Sequence, residues 1–170
     1  MNQEFEKHLG KKYLFMNRDN LLKICPDSTY ARFGLEINKG WASILEEMLC
    51  PKLTEALEKN SLNQEDLIIL QIKQKFGRLK IYWRLADENS SLIIDFFGQG
   101  TLDFNDYSSP AKKEIKAIID EACKEASKTC EFCGATNESV SLRQDSWVYT
   151  LCDECCRKRM QKIAESKKNK

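Results

Sequence analysis

The first sixty residues place apolar side chains at helical spacing. Phe5, Leu9, Leu14 and Leu21 predict helices over residues 1–24. After an irregular segment, residues 26–40, a second helical face carries Trp41, Ile44, Leu45, Met48 and Leu49. Pro51 is expected to break or kink this helix, because proline has no N–H and its ring crowds the preceding turn. The pattern resumes at Leu53, Ala56 and Leu57.

Residues 67–85 give the clearest β-strand pattern, with alternation on both sides of Phe76-Gly77. A hairpin closed at that dipeptide is therefore predicted. Its register pairs Lys75 with Arg78, Lys73 with Lys80, and Ile69 with Arg84. One face then carries Ile68, Leu70, Ile72, Leu79, Ile81, Trp83 and Leu85. A slip of one residue would bury the cations of the other face, so the pattern favours this register.

The second half of the chain predicts one more strand, a long helix and a hairpin. After a turn at residues 87–91, the strand covers residues 92–97, and residues 98–109 read as a loop. Ser109 is expected to cap a helix that begins at Pro110. Its apolar stripe is Ile115, Ile118, Ile119, Ala122, Cys123 and Ala126. Residues 140–151 alternate as a hairpin does.

These elements predict an α+β fold, in which a small antiparallel sheet has one face covered by helices. The predicted domains are an α+β core over residues 1–128 and a zinc module with a basic helix over residues 129–170. Hydrophobic residues make up 42% of the chain, as is ordinary for a globular protein. The chain contains no run of about 18 apolar residues, so no membrane-spanning helix is predicted.

Two pairs of cysteines carry the most specific chemistry in the chain. Cys130 and Cys133 form one Cys-x-x-Cys pair and Cys152 and Cys155 the other, with eighteen residues between Cys133 and Cys152. This spacing is typical of one structural zinc ion held by four thiolates. Gly134 supplies the backbone angles that a turn after the first pair needs. A turn, a hairpin and a helix in that order predict a module similar to a treble clef.

Other readings of the cysteines remain open at this stage. Disulfides, a thiol redox centre and an iron–sulfur cluster are alternatives, although no βαβ context of a redox protein surrounds either pair. Cys156 is an alternative ligand to Cys155. Trp147 is expected to lie over the metal as a lid. Free thiols beside a metal site, and a polar N-terminus unlike a signal peptide, predict a cytoplasmic location.

Three segments of the chain together resemble a known family. They are Trp41–Cys50, Gln71–Tyr82, and the closing cysteine pairs with Trp147. They are similar to small phage and prophage proteins that carry a C-terminal zinc module. The resemblance implies a phage setting in the cytoplasm of a bacterial host. It supplies no reaction and no catalytic residues.

An enzyme is disfavoured by the available side chains. The single histidine, His8, lies in the polar N-terminal segment, so no histidine accompanies the cysteines as a zinc-containing nuclease would require. Four thiolates also leave no open position for a reacting water. Asp95, Asp103 and Asp106 offer a weaker alternative, a magnesium site.

Binding is the predicted mode of action, and cations mark the expected surfaces. Net charge is only +1, but residues 151–170 hold seven Lys or Arg against three Asp or Glu. The candidate partner-binding residues are Lys73, Lys75, Arg78, Lys80, Tyr82 and Arg84 on the hairpin, with Arg157 and Arg159 on the last helix. A host protein is the expected partner. Nucleic acid is the alternative, since cations interleaved with aromatic rings suit phosphates and bases.

Overall fold

The computed structural model describes residues 3–86, 93–95, 101–103 and 109–168. It opens with α1 (Gln3–Lys12) and α2 (Arg18–Ile24), joined by a 3₁₀ turn at Leu14–Met16. Leu9 and Leu21 are buried and Phe5 packs against the same core. The helical prediction for this part of the chain is confirmed, although Leu14 stays largely exposed.

A short helix, α3 (Thr29–Phe33), replaces part of the irregular segment expected over residues 26–40. Ser28 starts it: the Ser28 Oγ accepts from the Ala31 N–H at 3.0 Å and donates to the Ile69 carbonyl at 2.8 Å. The buried hydroxyl thus caps a helix and fixes it to a strand. Five residues are too few to display a helical period, so the sequence pattern could not reveal α3.

The kink expected at Pro51 takes the form of a π-helical turn. Residues Ile44–Leu49 are π-helical and lead directly into α4 (Cys50–Lys59), with Pro51 in its first turn. The Cys50 N–H donates to the Leu45 carbonyl, five residues back. This wider turn accommodates a proline that has no N–H to donate and whose ring needs space.

Strands β1 (Leu67–Lys75) and β2 (Arg78–Leu85) form the predicted antiparallel hairpin. Phe76 and Gly77 have φ of 54° and 71°, the left-handed values that a type I′ turn requires. The pairs next to this turn, Lys75 with Arg78 and Lys73 with Lys80, are confirmed.

The far end of the hairpin differs from the predicted register because of a β-bulge. The pairing of Ile69 with Arg84 is wrong: Ile69 pairs with Trp83, and Ile68 pairs with Arg84. The register shifts between Ile69 and Gln71, so Leu70 is an extra residue on β1. Ile68 and Ile69 are both buried, and α3 packs against this strand. Burial on both faces conceals the bulge from an analysis of alternation.

The third strand does not extend the hairpin sheet. Strand β3 (Ile93–Asp95) pairs with β4 (Thr101–Asp103), which falls in the segment expected to be a loop. Within the described residues the strands therefore form three separate two-stranded sheets. Three-residue strands are too short to show a period of two, which explains the missed β4. The turn predicted at residues 87–91 lies outside the described residues.

Helix α5 (Pro110–Ala126) begins as predicted, with the Lys112 N–H donating to the Ser109 Oγ at 3.2 Å. Its predicted stripe faces the core, where Ile115, Ile119, Ala122 and Ala126 are buried and Ile118 and Cys123 are partly buried. This helix packs on β2, on α4 and on the π-helical turn, and it leads straight to the first cysteine pair.

The C-terminal region consists of a hairpin and a helix, as predicted. Strands β5 (Ser141–Gln144) and β6 (Val148–Leu151) pair antiparallel, and α6 (Asp153–Lys168) follows. The small buried cluster here contains Cys130, Leu151 and Cys152, whereas the main core is centred on side chains such as Trp41 and Tyr30. The architecture is α+β. Within the described residues, no helix combines the length and apolar character needed to cross a bilayer.

Candidate metal centre

Four cysteine sulfurs from three separate elements converge on one point. Cys130 and Cys133 lie on the turn after α5, Cys152 directly follows β6, and Cys155 is in the first turn of α6. All four Sγ atoms lie within 4.8 Å of one another, and those of Cys133 and Cys152 are 3.7 Å apart. Tetrahedral bonds of 2.3 Å would place sulfurs about 3.8 Å apart. The group is therefore compact enough to hold a metal ion.

The structure selects Cys155 over Cys156 as the fourth member of the group. Cys130 and Cys152 are buried, Cys155 is half-buried and Cys133 is exposed. No other group of at least three His, Cys, Asp or Glu side chains with this geometry occurs among the described residues.

The turn that carries the first pair depends on Gly134. Gly134 has a φ of 79°, as expected from the sequence, and its N–H donates to the Cys130 carbonyl at 2.8 Å. The Cys130 N–H donates in turn to the Ala135 carbonyl at 2.8 Å. These bonds close the turn, and the Cys130 and Cys133 sulfurs lie within 4.8 Å of each other.

The surroundings shift the pKa values of two of the four thiols in opposite directions: backbone N–H groups favour the thiolate of Cys130, and neighbouring sulfurs disfavour that of Cys155. Burial disfavours ionisation of Cys130, but N–H groups of Cys152, Cys133 and Phe132 point at its sulfur and lower its pKa to about 7. Burial and the neighbouring Cys133, Cys152 and Cys130 raise the pKa of Cys155. Several thiolates this close repel one another without a cation between them. A bound divalent cation would remove that conflict.

Aromatic rings and an ion pair support the module beside the cysteines. The Phe132 and Tyr149 rings meet edge to face at 5.5 Å, and the Arg159 guanidinium lies 4.2 Å from the Tyr149 centroid. Arg159 also donates from Nε to Asp145 at 2.7 Å and holds the pKa of that carboxyl at about 2. Arg159, a predicted partner-binding residue, thus has a structural role inside the module.

The structure gives Trp147 a different position from the expected lid. Its side chain is 53% exposed, and its Nε1 donates to Gln74 on β1 at 3.1 Å. Phe132, not Trp147, lines the groove next to Cys133 and Cys155. The hairpin turn between β5 and β6 carries Trp147 outward, which alternation within the strands does not reveal.

Glu131, between the first two cysteines, is fully buried and joins the module to the core. Its carboxylate accepts hydrogen bonds from the Thr150 N–H and from Asn38 Nδ2, both at 2.7 Å. Its carbonyl accepts from the Gly40 N–H at 2.9 Å. Sequence analysis missed this residue, because a glutamate in a cysteine turn is usually solvated and Asn38 is 93 residues away.

Two glycines allow the close approach of core and module. A Cβ on Gly40 would overlap the Cys130 carbonyl oxygen, and one on Gly77 would lie 2.6 Å from Leu142. The Trp41 Nε1 donates to the Thr129 carbonyl at 2.9 Å in the same region. The predicted domain division at residue 128 stays a prediction, and these contacts show that the two parts are firmly docked.

The hairpin cations lie together on one face, but they are less exposed than expected. Only Arg78 is exposed; Lys73, Lys75, Lys80, Tyr82 and Arg84 are half-buried. The Lys73 Nζ lies 5.1 Å from the Tyr82 ring centroid, and Arg84 donates to the Leu85 carbonyl at 3.1 Å. On α6, Arg157 is exposed. The role of these residues in partner binding stays a prediction.

Among the described residues, His8 is not a member of the cysteine group. His8 is on α1, where its Nε2 lies 2.8 Å from Glu46 Oε1 and its side chain is 56% exposed. Asp95 and Asp103 belong to β3 and β4, and Asp106 lies outside the described residues. The magnesium site stays a prediction.

The chain matches no family model, and neither curated proteins nor solved structures show a significant match to it.

Proposed function

We propose that this protein is a non-enzymatic zinc protein in which one structural Zn²⁺ shapes a module that binds a host macromolecule. The main observation that supports this proposal is that four cysteine sulfurs lie within 4.8 Å of one another. Four thiolates complete the tetrahedral shell of zinc and leave no position for a substrate or a reacting water. The ion would then serve folding rather than chemistry.

Zinc fits these sulfurs better than the alternatives. The Cys133 and Cys152 sulfurs lie 3.7 Å apart, well beyond the about 2.05 Å of a disulfide bond, which favours a shared ion over a disulfide between them. An iron–sulfur cluster interposes several atoms between its ligands and needs sulfurs farther apart than a single ion does. Zinc is also the usual ion for four thiolates in a small structural module.

The order of elements supports a treble-clef-like arrangement. A turn closed by Gly134 carries the first pair, the β5–β6 hairpin follows, and the second pair lies at the start of α6. The N-terminal end of a helix favours thiolates, because its dipole stabilises negative charge.

The proposed partner is a protein of the bacterial host, as the resemblance to phage proteins suggests. The described residues support binding rather than catalysis, since His8 is an exposed partner of Glu46 and remote in sequence from the cysteines. Nucleic acid is the second candidate. It is favoured by the exposed cations Arg78 and Arg157. A pull-down with and without nuclease treatment distinguishes the two, because only a nucleic-acid-dependent capture disappears after digestion.

Metal analysis tests the zinc proposal directly. Purified protein should contain about one zinc per chain, and cobalt substitution should give the intense near-ultraviolet absorption of thiolate-bound Co²⁺. The Cys133→Ser variant should lose the ion and its module should unfold, because zinc binding contributes on the order of 10 kcal/mol to the folding of such a module. Cys123→Ser, a change of a half-buried thiol outside the group, is the matched control and should retain the ion. Absence of metal from fully reduced protein would refute the proposal.

A further inference from the structure

A groove runs between the cysteine turn and α6 and has a volume of about 770 Å³. Phe132 and Ile163 supply apolar surface, and Lys39, Lys158 and Lys162 supply positive charge. The α6 residues that line it, from Cys155 to Ser166, follow helical spacing, so one face of α6 forms its wall. At 1.5 Å per residue that wall is about 16 Å long, the length of about five residues of extended peptide.

We propose that this groove binds an acidic peptide segment of a partner protein, with one aliphatic side chain between Phe132 and Ile163 and carboxylates beside Lys39 and Lys162. The inference rests on the proposed function, because the cysteine turn forms one side of the groove. It names both the binding surface and the chemistry of the segment that the surface accepts.

Charge complementarity supports a negatively charged occupant. Lys39 and Lys162 are exposed, and neither forms an ion pair within the part of the chain that the structure describes. Lys158 is already paired with Glu154 at 2.6 Å, and Arg159 with Asp145 at 2.7 Å. Among the described residues, Lys39 and Lys162 are therefore the two groove cations without a carboxylate as ion-pair partner.

Neutralisation of the metal centre does not account for both lysines. Four thiolates and a divalent cation carry a net charge of −2, and nearby cations offset it. Lys158 follows Cys155 by one helical turn, which places it close to the thiolates, although it also pairs with Glu154. Lys162 lies two turns from Cys155, about 10 Å along the helix, where it lines the open groove beside Ile163.

The groove suits a peptide better than a nucleic acid. Bases bind by stacking on free aromatic faces. Here the Arg159 guanidinium lies over the Tyr149 ring, and the Tyr149 and Phe132 rings contact each other edge to face. The aliphatic Ile163 side chain offers a contact for leucine or isoleucine, a group that a nucleic-acid backbone does not supply.

Selection from a library of random twelve-residue peptides against the zinc-loaded full chain tests the proposal. Enriched peptides should combine Asp or Glu with a central aliphatic residue, and their affinity should then be measured by fluorescence anisotropy. Lys39→Glu with Lys162→Glu should weaken binding by roughly tenfold or more, with a loss that shrinks at high salt. The control, Lys11→Glu with Lys23→Glu on exposed positions of α1 and α2, carries the same charge change and should stay within about twofold.

Each other outcome has a definite meaning. No enrichment, or enriched peptides that are basic, would overturn the proposal. Enriched peptides insensitive to the Lys39 and Lys162 changes would overturn the groove while leaving a protein-binding function intact. Binding of an oligothymidine that the same variant abolishes would instead assign the groove to nucleic acid. Zinc content measured on every variant separates these results from a failure of the metal proposal itself.

Discussion

Glu131 illustrates how a single side chain can connect the cysteine module to the core. Burial raises the pKa of its carboxyl, while hydrogen bonds from Asn38, Thr150 and Gln74 act in the opposite direction. A buried carboxylate is tolerable only where donors surround it. Glu131 thus lies between Cys130 and Cys133, while its hydrogen-bond partners lie elsewhere in the chain.

Glu131→Ala should destabilise the zinc-loaded protein by about 2–4 kcal/mol, because it leaves the buried Thr150 N–H and the part-buried Asn38 amide without their acceptor. Urea unfolding followed by tryptophan fluorescence measures the change. Glu138→Ala, at an exposed position in the same module, is the control and should cost less than about 0.5 kcal/mol. Equal stabilities of the two variants would contradict the joining role.

The burial of the Cys50 thiol leads us to expect a loss of stability at alkaline pH. Burial raises its pKa to about 12 in the folded protein from an ordinary value of 9.0. A raised folded pKa stabilises the protein fully below the unfolded pKa, and that contribution is lost as the pH rises from about 9 towards 12. The upper limit of this loss is about 4 kcal/mol.

Urea unfolding between pH 8 and pH 11 measures this dependence. Cys50→Ala should lose some stability at every pH but show a shallower decline above pH 9. Part of the decline should persist in that variant, since burial also raises the pKa of the Tyr30 hydroxyl. Identical slopes for the two proteins would show that Cys50 ionises freely in the folded state.

Among the elements, the β1–β2 hairpin has two functions at its turn. Phe76 and Gly77 both have positive φ, which lets the turn match the twist of the strands. The Gly77 carbonyl accepts a hydrogen bond from the Thr150 hydroxyl, and the missing Cβ leaves space for Leu142. The turn that closes one hairpin is therefore also the contact with the other.

Gly77→Ala should cost about 2 kcal/mol or more, because it combines a strained backbone with a clash against Leu142. Thermal unfolding of the zinc-loaded protein measures this. Phe76→Asn is the informative control, since asparagine tolerates positive φ and meets no such clash. A smaller loss for Gly77→Ala than for Phe76→Asn would mean that the turn is not a docking contact.

At the scale of the whole molecule, two hydrophobic clusters of unequal size are joined by polar contacts. The large cluster extends from Leu9 to Ala126, whereas the small one consists of Cys130, Leu151 and Cys152 with partly buried neighbours. Two of the three buried members of the small cluster are candidate metal ligands. Its order should therefore depend on the ion, while that of the large cluster should not.

Removal of the metal by a chelator should increase hydrogen exchange throughout residues 130–160 while β1 and β2 remain protected. Residues 38–41 should show an intermediate effect, because the Gly40 N–H and the Trp41 indole donate to Glu131 and Thr129. Exchange measured by mass spectrometry on metal-loaded and metal-free protein checks this. Uniform loss of protection along the chain would contradict the predicted division at residue 128.

The sequence by itself determined the features that depend on neighbours along the chain. Three local features were readable from the sequence: the two Cys-x-x-Cys pairs, the turn at Phe76-Gly77 and the cap at Ser109. Each arises from the backbone geometry of a few neighbouring residues. The helical periods of α4 and α5 were readable for the same reason. These regularities repeat over enough residues to be distinguished from chance.

Only the tertiary structure decided the features that depend on distant contacts. The bulge at Leu70 was invisible because β1 is buried on both faces near Ile68 and Ile69, which removes the alternation that reports a strand's phase. The burial of Glu131 and the outward position of Trp147 depend on Asn38 and Gln74, at separations of 93 and 73 residues. Such contacts are products of packing, and no local pattern encodes them.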